Sequence, residues 1–178
     1  MNHEQEHSIL WSGDYFRVIK RGTWEIAQRH HCSGVVGIIP ITNDNEVILV
    51  EQYREPLRKN VIEFSAGLVG DESGSEHESL KKAAQRELLE ETGYKAVDWT
   101  YLGNGPTSAG LTNETIHYFL ATKLKQINHG GGIDNESITV HHIPFHELNS
   151  WLASQESNGK ILDIKIYAGL YWLNCHFK

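Results

Sequence analysis

An α+β fold is predicted for this chain of 178 residues by three observations. Strand-like apolar runs dominate the first third, with 35–41 and 46–53 the clearest. One long helical pattern, 75–92, follows them, and further strand runs at 95–102, 115–123 and 137–143 come after it. Two more helical patterns, 145–154 and 163–176, close the chain. Strands, a helix, more strands and terminal helices make an α+β sandwich.

Each element has a local reason. Residues 15–27 alternate as strand material around a turn at Arg21-Gly22. Thr42-Asn43-Asp44-Asn45 is a turn, so 46–53 is expected to pair back on 35–41 as a hairpin until Pro56 ends it. A short strand at 61–64 leads into a loop at Ala66-Gly67. Residues 69–75 are rich in turn formers and read as an enlarged loop. The 104–113 segment is a long polar loop, and Asn128-His129-Gly130-Gly131-Gly132 a second, flexible one. Pro144 opens the helix at 145, and Ile166, Leu170 and Leu173 are spaced for burial in the last helix. We read 1–178 as a single domain, with an N-terminal β-strand segment over about 1–30 preceding the core.

Composition excludes several classes. The net charge is −7, which argues against the phosphate backbone of nucleic acid as a partner. No apolar run is long enough for a membrane span, and the polar N-terminus is unlike a signal peptide. Two cysteines make no disulfide framework, and a cytoplasmic setting is expected. Eleven histidines come without a zinc-ligand spacing.

The most informative feature is an acid cluster at the end of the 75–92 helix. Glu87, Glu90 and Glu91 fall on one side, together with Leu80, Ala83 and Ala84. Carboxylates that prolong an apolar face point inward. Like charges at i,i+4 cost roughly 0.2–0.5 kcal/mol per pair. The negative end of the helix dipole adds about 0.3–1 kcal/mol for each acid in the last turn, which Gly93 closes as the C′ residue. A hard divalent cation with oxygen ligands would remove the repulsion. The alternative is a solvated acidic face paired with Lys82 and Arg86. Ser75-Glu76-His77-Glu78 has the spacing of a capping box, which favours a structural Glu78 over a ligand. The Arg86 guanidinium suits a carboxylate and can hold an acid in place.

The run Arg86-Glu87-Leu88-Leu89-Glu90-Glu91-Thr92-Gly93-Tyr94 resembles the core of the Nudix box, G-x5-E-x7-R-E-U-x-E-E-x-G-U, and Glu78 lies at its distance from Arg86. Upstream, Glu63-Phe64-Ser65-Ala66-Gly67 is similar to the Glu-Phe-Pro-Ala-Gly entry of the ADP-ribose pyrophosphatase branch. Two departures stand out. Ten residues separate Gly67 from Glu78 where the box has five, and Ser65 replaces the proline.

The resemblance implies a Nudix-type α/β/α sandwich with a mixed β-sheet. It also implies an Mg²⁺-dependent pyrophosphatase, Mn²⁺ being a possible substitute. The expected substrate is a small-molecule nucleoside diphosphate linked to X. ADP-ribose, cleaved to AMP and ribose 5-phosphate, is expected first and another nucleotide sugar such as GDP-mannose second; a non-catalytic nucleotide sensor is the alternative from another class. Glu87, Glu91, Glu90 and the Ala66 carbonyl are the implied metal ligands. Glu136, Glu90 and Arg86 are the implied catalytic residues, with Asp134 competing with Glu136 as general base. Arg54 of Gln52-Tyr53-Arg54, and Ser108, Gly110 and Glu114 of the 107–114 loop, are the implied substrate contacts; a surface arginine and a plain hairpin connection are the alternatives. A homodimer that the strands around 15–27 help to form is also implied; an edge of one domain is the alternative for that segment.

Overall fold

The computed structural model describes residues 7–70, 77–133 and 137–176. Three strands come first, β1 (Ser8–Ser12), β2 (Phe16–Arg21) and β3 (Trp24–Arg29), in an antiparallel sheet of that order. The turn between β2 and β3 falls at Gly22, whose φ of 59° suits glycine. Then follow β4 (Val35–Pro40), β5 (Glu46–Arg54), β6 (Lys59–Glu63), β7 (Ser65–Leu68) and α1 (Leu80–Thr92). The last part comprises β8 (Tyr94–Pro106), β9 (Thr115–Gln126), β10 (Ile138–Pro144), α2 (Leu148–Ser157), β11 (Ile161–Leu162) and α3 (Lys165–His176).

Two mixed four-stranded sheets carry the core, β7-β4-β9-β8 and β10-β5-β6-β11. The parallel pairs are β4 with β9 and β6 with β11. Successive residues of the central strands face opposite ways. Ile38, Ile48 and Phe119 pack with Ala83, Ala84 and Leu88 of α1. Their neighbours Ile39, Leu49 and Leu120 pack with Leu148 and Leu152 of α2 and Ile166 and Leu173 of α3. Helices therefore cover both faces, which is why β4 and β5 read as continuous apolar runs. Gly169 lets α3 approach closely, since a Cβ there would lie 2.7 Å from the Phe64 ring.

The structure corrects several expectations. The 35–41 and 46–53 runs do not form a hairpin ladder. They meet at the single bridge Ile41–Val47, and β4 and β5 enter different sheets, because each has a better partner farther along the chain. The Ala66-Gly67 loop is strand β7, paired with β4. The first helix starts at Leu80, not Ser75, because Ser79 is its N-cap and accepts from the Lys82 N–H at 3.4 Å. Ser75 and most of the expected enlarged loop lie outside the described residues. The helix at 145 opens with one 3-10 turn, Phe145–Glu147, before α2. The short strand β11 escaped the sequence reading, and β1 falls within the β-strand segment expected over about 1–30, though not as a separate strand.

Glu51 ties the end of the molecule that carries α3 to the sheet. It is buried on β5 and accepts from Lys160 Nζ at 2.5 Å, from His141 Nε2 at 3.1 Å and from Asn60 Nδ2 at 3.3 Å. Burial pushes its carboxyl up, but the three hydrogen bonds and the Lys160 charge together hold it below its ordinary value. A carboxyl depressed in the folded state contributes stability above its unfolded pKa and loses it as pH falls through the folded one. Urea denaturation at neutral pH and near about pH 4 should therefore show a fall in stability that Glu51→Gln reduces.

Candidate active site

The acid face of α1 lies against β7. Glu91 is 4% exposed, and its Oε2 accepts the Ala66 N–H at 3.1 Å. Gly67 is next to Glu87: a Cβ at Gly67 would overlap the Glu87 carboxylate. Only glycine leaves room for an acid there. Ala66, Gly67, Glu87 and Glu91 all line a cleft of roughly 590 Å³.

Arg86 organises the acids. Its Nη1 donates to Glu87 Oε1 at 2.8 Å and to Glu90 Oε2 at 3.3 Å. Its Nη2 donates to the Leu68 carbonyl at 3.1 Å and to Glu78 Oε2 at 3.3 Å, while Nε reaches Glu78 Oε1 at 3.5 Å. The planar fork thus binds three carboxylates and the end of β7 at once. Glu78 is a partner of Arg86, not the capping-box acid expected from its spacing, because the cap falls at Ser79 instead.

The end of α1 is closed by two glycine segments. Gly93 adopts φ 79° and its N–H returns to the Leu89 carbonyl, as the C′ expectation required. The Gly131 and Gly132 N–H groups donate to the carbonyls of Glu91 and Glu90 at 2.9 and 3.1 Å. A Cβ on Gly130 would lie 2.6 Å from the Glu91 carbonyl oxygen. The glycine run of the loop expected to be flexible is therefore docked on the helix that carries the acids. Glu136 and Asp134 lie outside the described residues.

Three ion pairs surround the rest of the cleft. Arg54 makes a bidentate contact with the buried Glu63, Nε to Oε1 at 2.5 Å and Nη2 to Oε2 at 2.9 Å. Burial works against the Arg54 charge, but Glu63 outweighs it and raises the guanidinium pKa. Arg29 pairs with Glu114 at 2.5 Å, and Thr107 also donates to Glu114. Lys165, at the start of α3, pairs with Asp163. Sequence reasoning missed Arg29, Asp163 and Lys165, which carry no motif, and gave Glu63 no role of its own although it opens the Glu63-Phe64-Ser65-Ala66-Gly67 run; the four meet only in the folded chain. Ser108 and Gly110 sit at the exposed tip of their loop, outside the cleft lining.

The described lining of the cleft holds five carboxylates (Glu63, Glu87, Glu91, Glu114 and Asp163) against the three cations Arg29, Arg54 and Lys165, a net charge of −2. Its acids offer oxygen donors, and neither His nor Cys lines it. That donor chemistry fits a hard divalent cation. Among the described residues no three His, Cys, Asp or Glu side chains converge as a ready-made metal cluster. The cradle is instead an arrangement of acids against the Ala66-Gly67 backbone. Gly67→Ala should therefore fold, since the overlapping atoms are the mobile end of Glu87, yet bind Mg²⁺ at least about tenfold more weakly by calorimetry.

The comparisons with known proteins agree with this geometry. The family model of the NUDIX domain matches residues 33–163. The chain is 40% identical over 103 residues to a methanol dehydrogenase activator from Bacillus methanolicus, covering 58% of this chain and 53% of that protein. It is 33% identical over 124 residues to an ADP-ribose pyrophosphatase from Bacillus subtilis, covering 69% and 64%. A GDP-mannose pyrophosphatase from Yersinia pestis is 30% identical over 139 residues, covering 74% and 65%. The chain thus spans about half to two thirds of the length of these relatives. A solved structure described as an ADP compounds hydrolase superposes with a TM-score of 0.73 at 20% identity, over 95% of this chain and 90% of that one, and so shares the fold. The box of acids on α1, the Ala66-Gly67 strand and the matched span together place this chain in the NUDIX family.

Proposed function

We propose that this chain hydrolyses the diphosphate bond of a nucleoside diphosphate linked to a second group, with Mg²⁺ as its cation and Mn²⁺ as a substitute. The observation that carries the reading is the pair Glu87 and Glu91 against Ala66-Gly67 in the lining of an acidic cleft. A diphosphate does not enter a lining of net charge −2 without a cation to offset it. A bound divalent cation neutralises phosphoryl oxygens and lowers the pKa of water. Glu87, Glu91, Glu90 and Ala66 would hold it, with Arg86 keeping the acids in place. Arg54 can exchange Glu63 for a phosphoryl oxygen, since the same fork fits both. Glu114, paired with Arg29, also lines the cleft. Glu136 is the proposed general base.

ADP-ribose is the favoured substrate, supported by the likeness to the pyrophosphatase from Bacillus subtilis, with GDP-mannose next. The likeness to a dehydrogenase activator supports a second reading, a nucleotide sensor acting on another enzyme. The full set Glu87, Glu90 and Glu91 favours hydrolysis over sensing alone.

Release of the nucleoside monophosphate from a panel of nucleoside diphosphate derivatives, AMP in the case of ADP-ribose, should require Mg²⁺ or Mn²⁺ and stop with EDTA. Glu87→Gln and Glu91→Gln should each lose most of kcat, and their metal-free melting temperatures should hold or rise as repulsion is relieved. Glu136→Gln should lower kcat strongly with little change in KM, and Asp134→Asn should do less. Turnover in EDTA, or normal kcat in all four variants, would refute the assignment.

A homodimer is the proposed assembly, through the β1-β2-β3 sheet. That sheet and its β1-β2 turn expose the large apolar side chains Ile9, Leu10, Trp11, Tyr15, Phe16 and Trp24, and exposed apolar side chains gathered in one element are what an interface covers. Light scattering should give twice the 20.2 kDa chain mass, and Trp11→Glu with Trp24→Glu should return the monomer.

A further inference from the structure

Ser65 is fully buried, and its hydroxyl has no hydrogen-bond partner among the described residues. Leaving a buried hydroxyl unsatisfied forfeits the hydrogen bonds it made to water in the unfolded chain. Register fixes the direction of this side chain. Alternate residues of a strand share a face, so Ser65 looks the same way as Gly67, which faces the Glu87 carboxylate. The neighbouring strand agrees: Ser65 lies opposite Ile38 and Gly67 opposite Val36. Val36 and Ile38 both pack with Ala83, Ala84 and Leu88 of α1. The hydroxyl therefore sits beneath α1, on the side of the acids.

The next amide along the chain, Ala66 N–H, donates to Glu91 Oε2 at 3.1 Å. Only the Cβ, Cα and carbonyl carbon of Ser65 separate its hydroxyl from that amide. Rotation about χ1 can thus aim the O–H at the carboxylate the amide already holds.

We propose that Ser65 is a positioning residue for Glu91, its hydroxyl donating to the Glu91 carboxylate when a divalent cation occupies the cleft. The bond holds one carboxylate oxygen back against β7 and leaves the other for the cation. This role rests on the metal reading above. Partners that orient a ligating carboxylate are commonly worth 10–100-fold in metal affinity. The Nudix resemblance has proline at this place, so the device belongs to this chain's own sequence.

The test is calorimetric titration of Mg²⁺ into substrate-free wild type, Ser65→Ala and Ser65→Cys, with thermal melts of the metal-free proteins. Ser65→Ala should melt at or above the wild-type temperature, because the unsatisfied hydroxyl is gone. It should bind Mg²⁺ about tenfold more weakly, with Ser65→Cys, a poorer donor of similar shape, in between. Unchanged Mg²⁺ affinity in Ser65→Ala would overturn the proposal. So would a lower metal-free melting temperature of Ser65→Ala with Ser65→Cys binding Mg²⁺ as wild type does, since the hydroxyl would then be structural. Wild-type protein that binds neither Mg²⁺ nor Mn²⁺ would overturn the metal reading and this role with it.

Discussion

The guanidinium of Arg86 decides where the acids of α1 lie. Glu87, Glu90 and Glu78 would repel one another, and a single fork of N–H groups engages all three. The same fork takes the Leu68 carbonyl, so the acid face of the helix and the end of β7 are held in one register. A lysine would bring one point charge and no planar fork, and could not span these partners. The distance between Glu87 and Gly67, and with it the cradle, follows from this contact.

A second constraint acts at the other end of the helix. The last carbonyls of α1 receive the N–H groups of Gly93, Gly131 and Gly132, which places donors where the dipole is negative. The acids in the last turn are tolerable partly for this reason. Gly93 and Gly130 are packed so closely that neither has room for a Cβ. Acid cluster and glycine run, separate features along the chain, are one structural unit in space.

The acid cluster was legible because helical periodicity is local. Spacing alone put Glu87 and Glu91 on the inner side, and the structure places both in the cleft. Arg54 and Glu114 were legible through resemblance and also reach the cleft. Ser108 and Gly110 did not, because a loop motif does not determine how far its tip stands from the body. The expected hairpin of β4 and β5 failed for a related reason. Turn residues permit a return of the chain, but ladder partners are chosen by burial, and β9 and β6 bury these strands better.

By itself the sequence determined the α+β class, the inward acid face, the αL glycine after α1 and the Nudix resemblance. All follow from interactions within a few residues or from a contiguous motif. Only the tertiary structure decided that Glu63, Asp163, Lys165 and Arg29 share the cleft, and that Ser65 is buried with no partner for its hydroxyl among the described residues. These residues stand on β6, α3 with its approach, β3 and β7, and nothing local in the chain encodes their meeting. Their placement depends on which strands pair and which helix faces are buried, and that is settled by packing of the whole molecule.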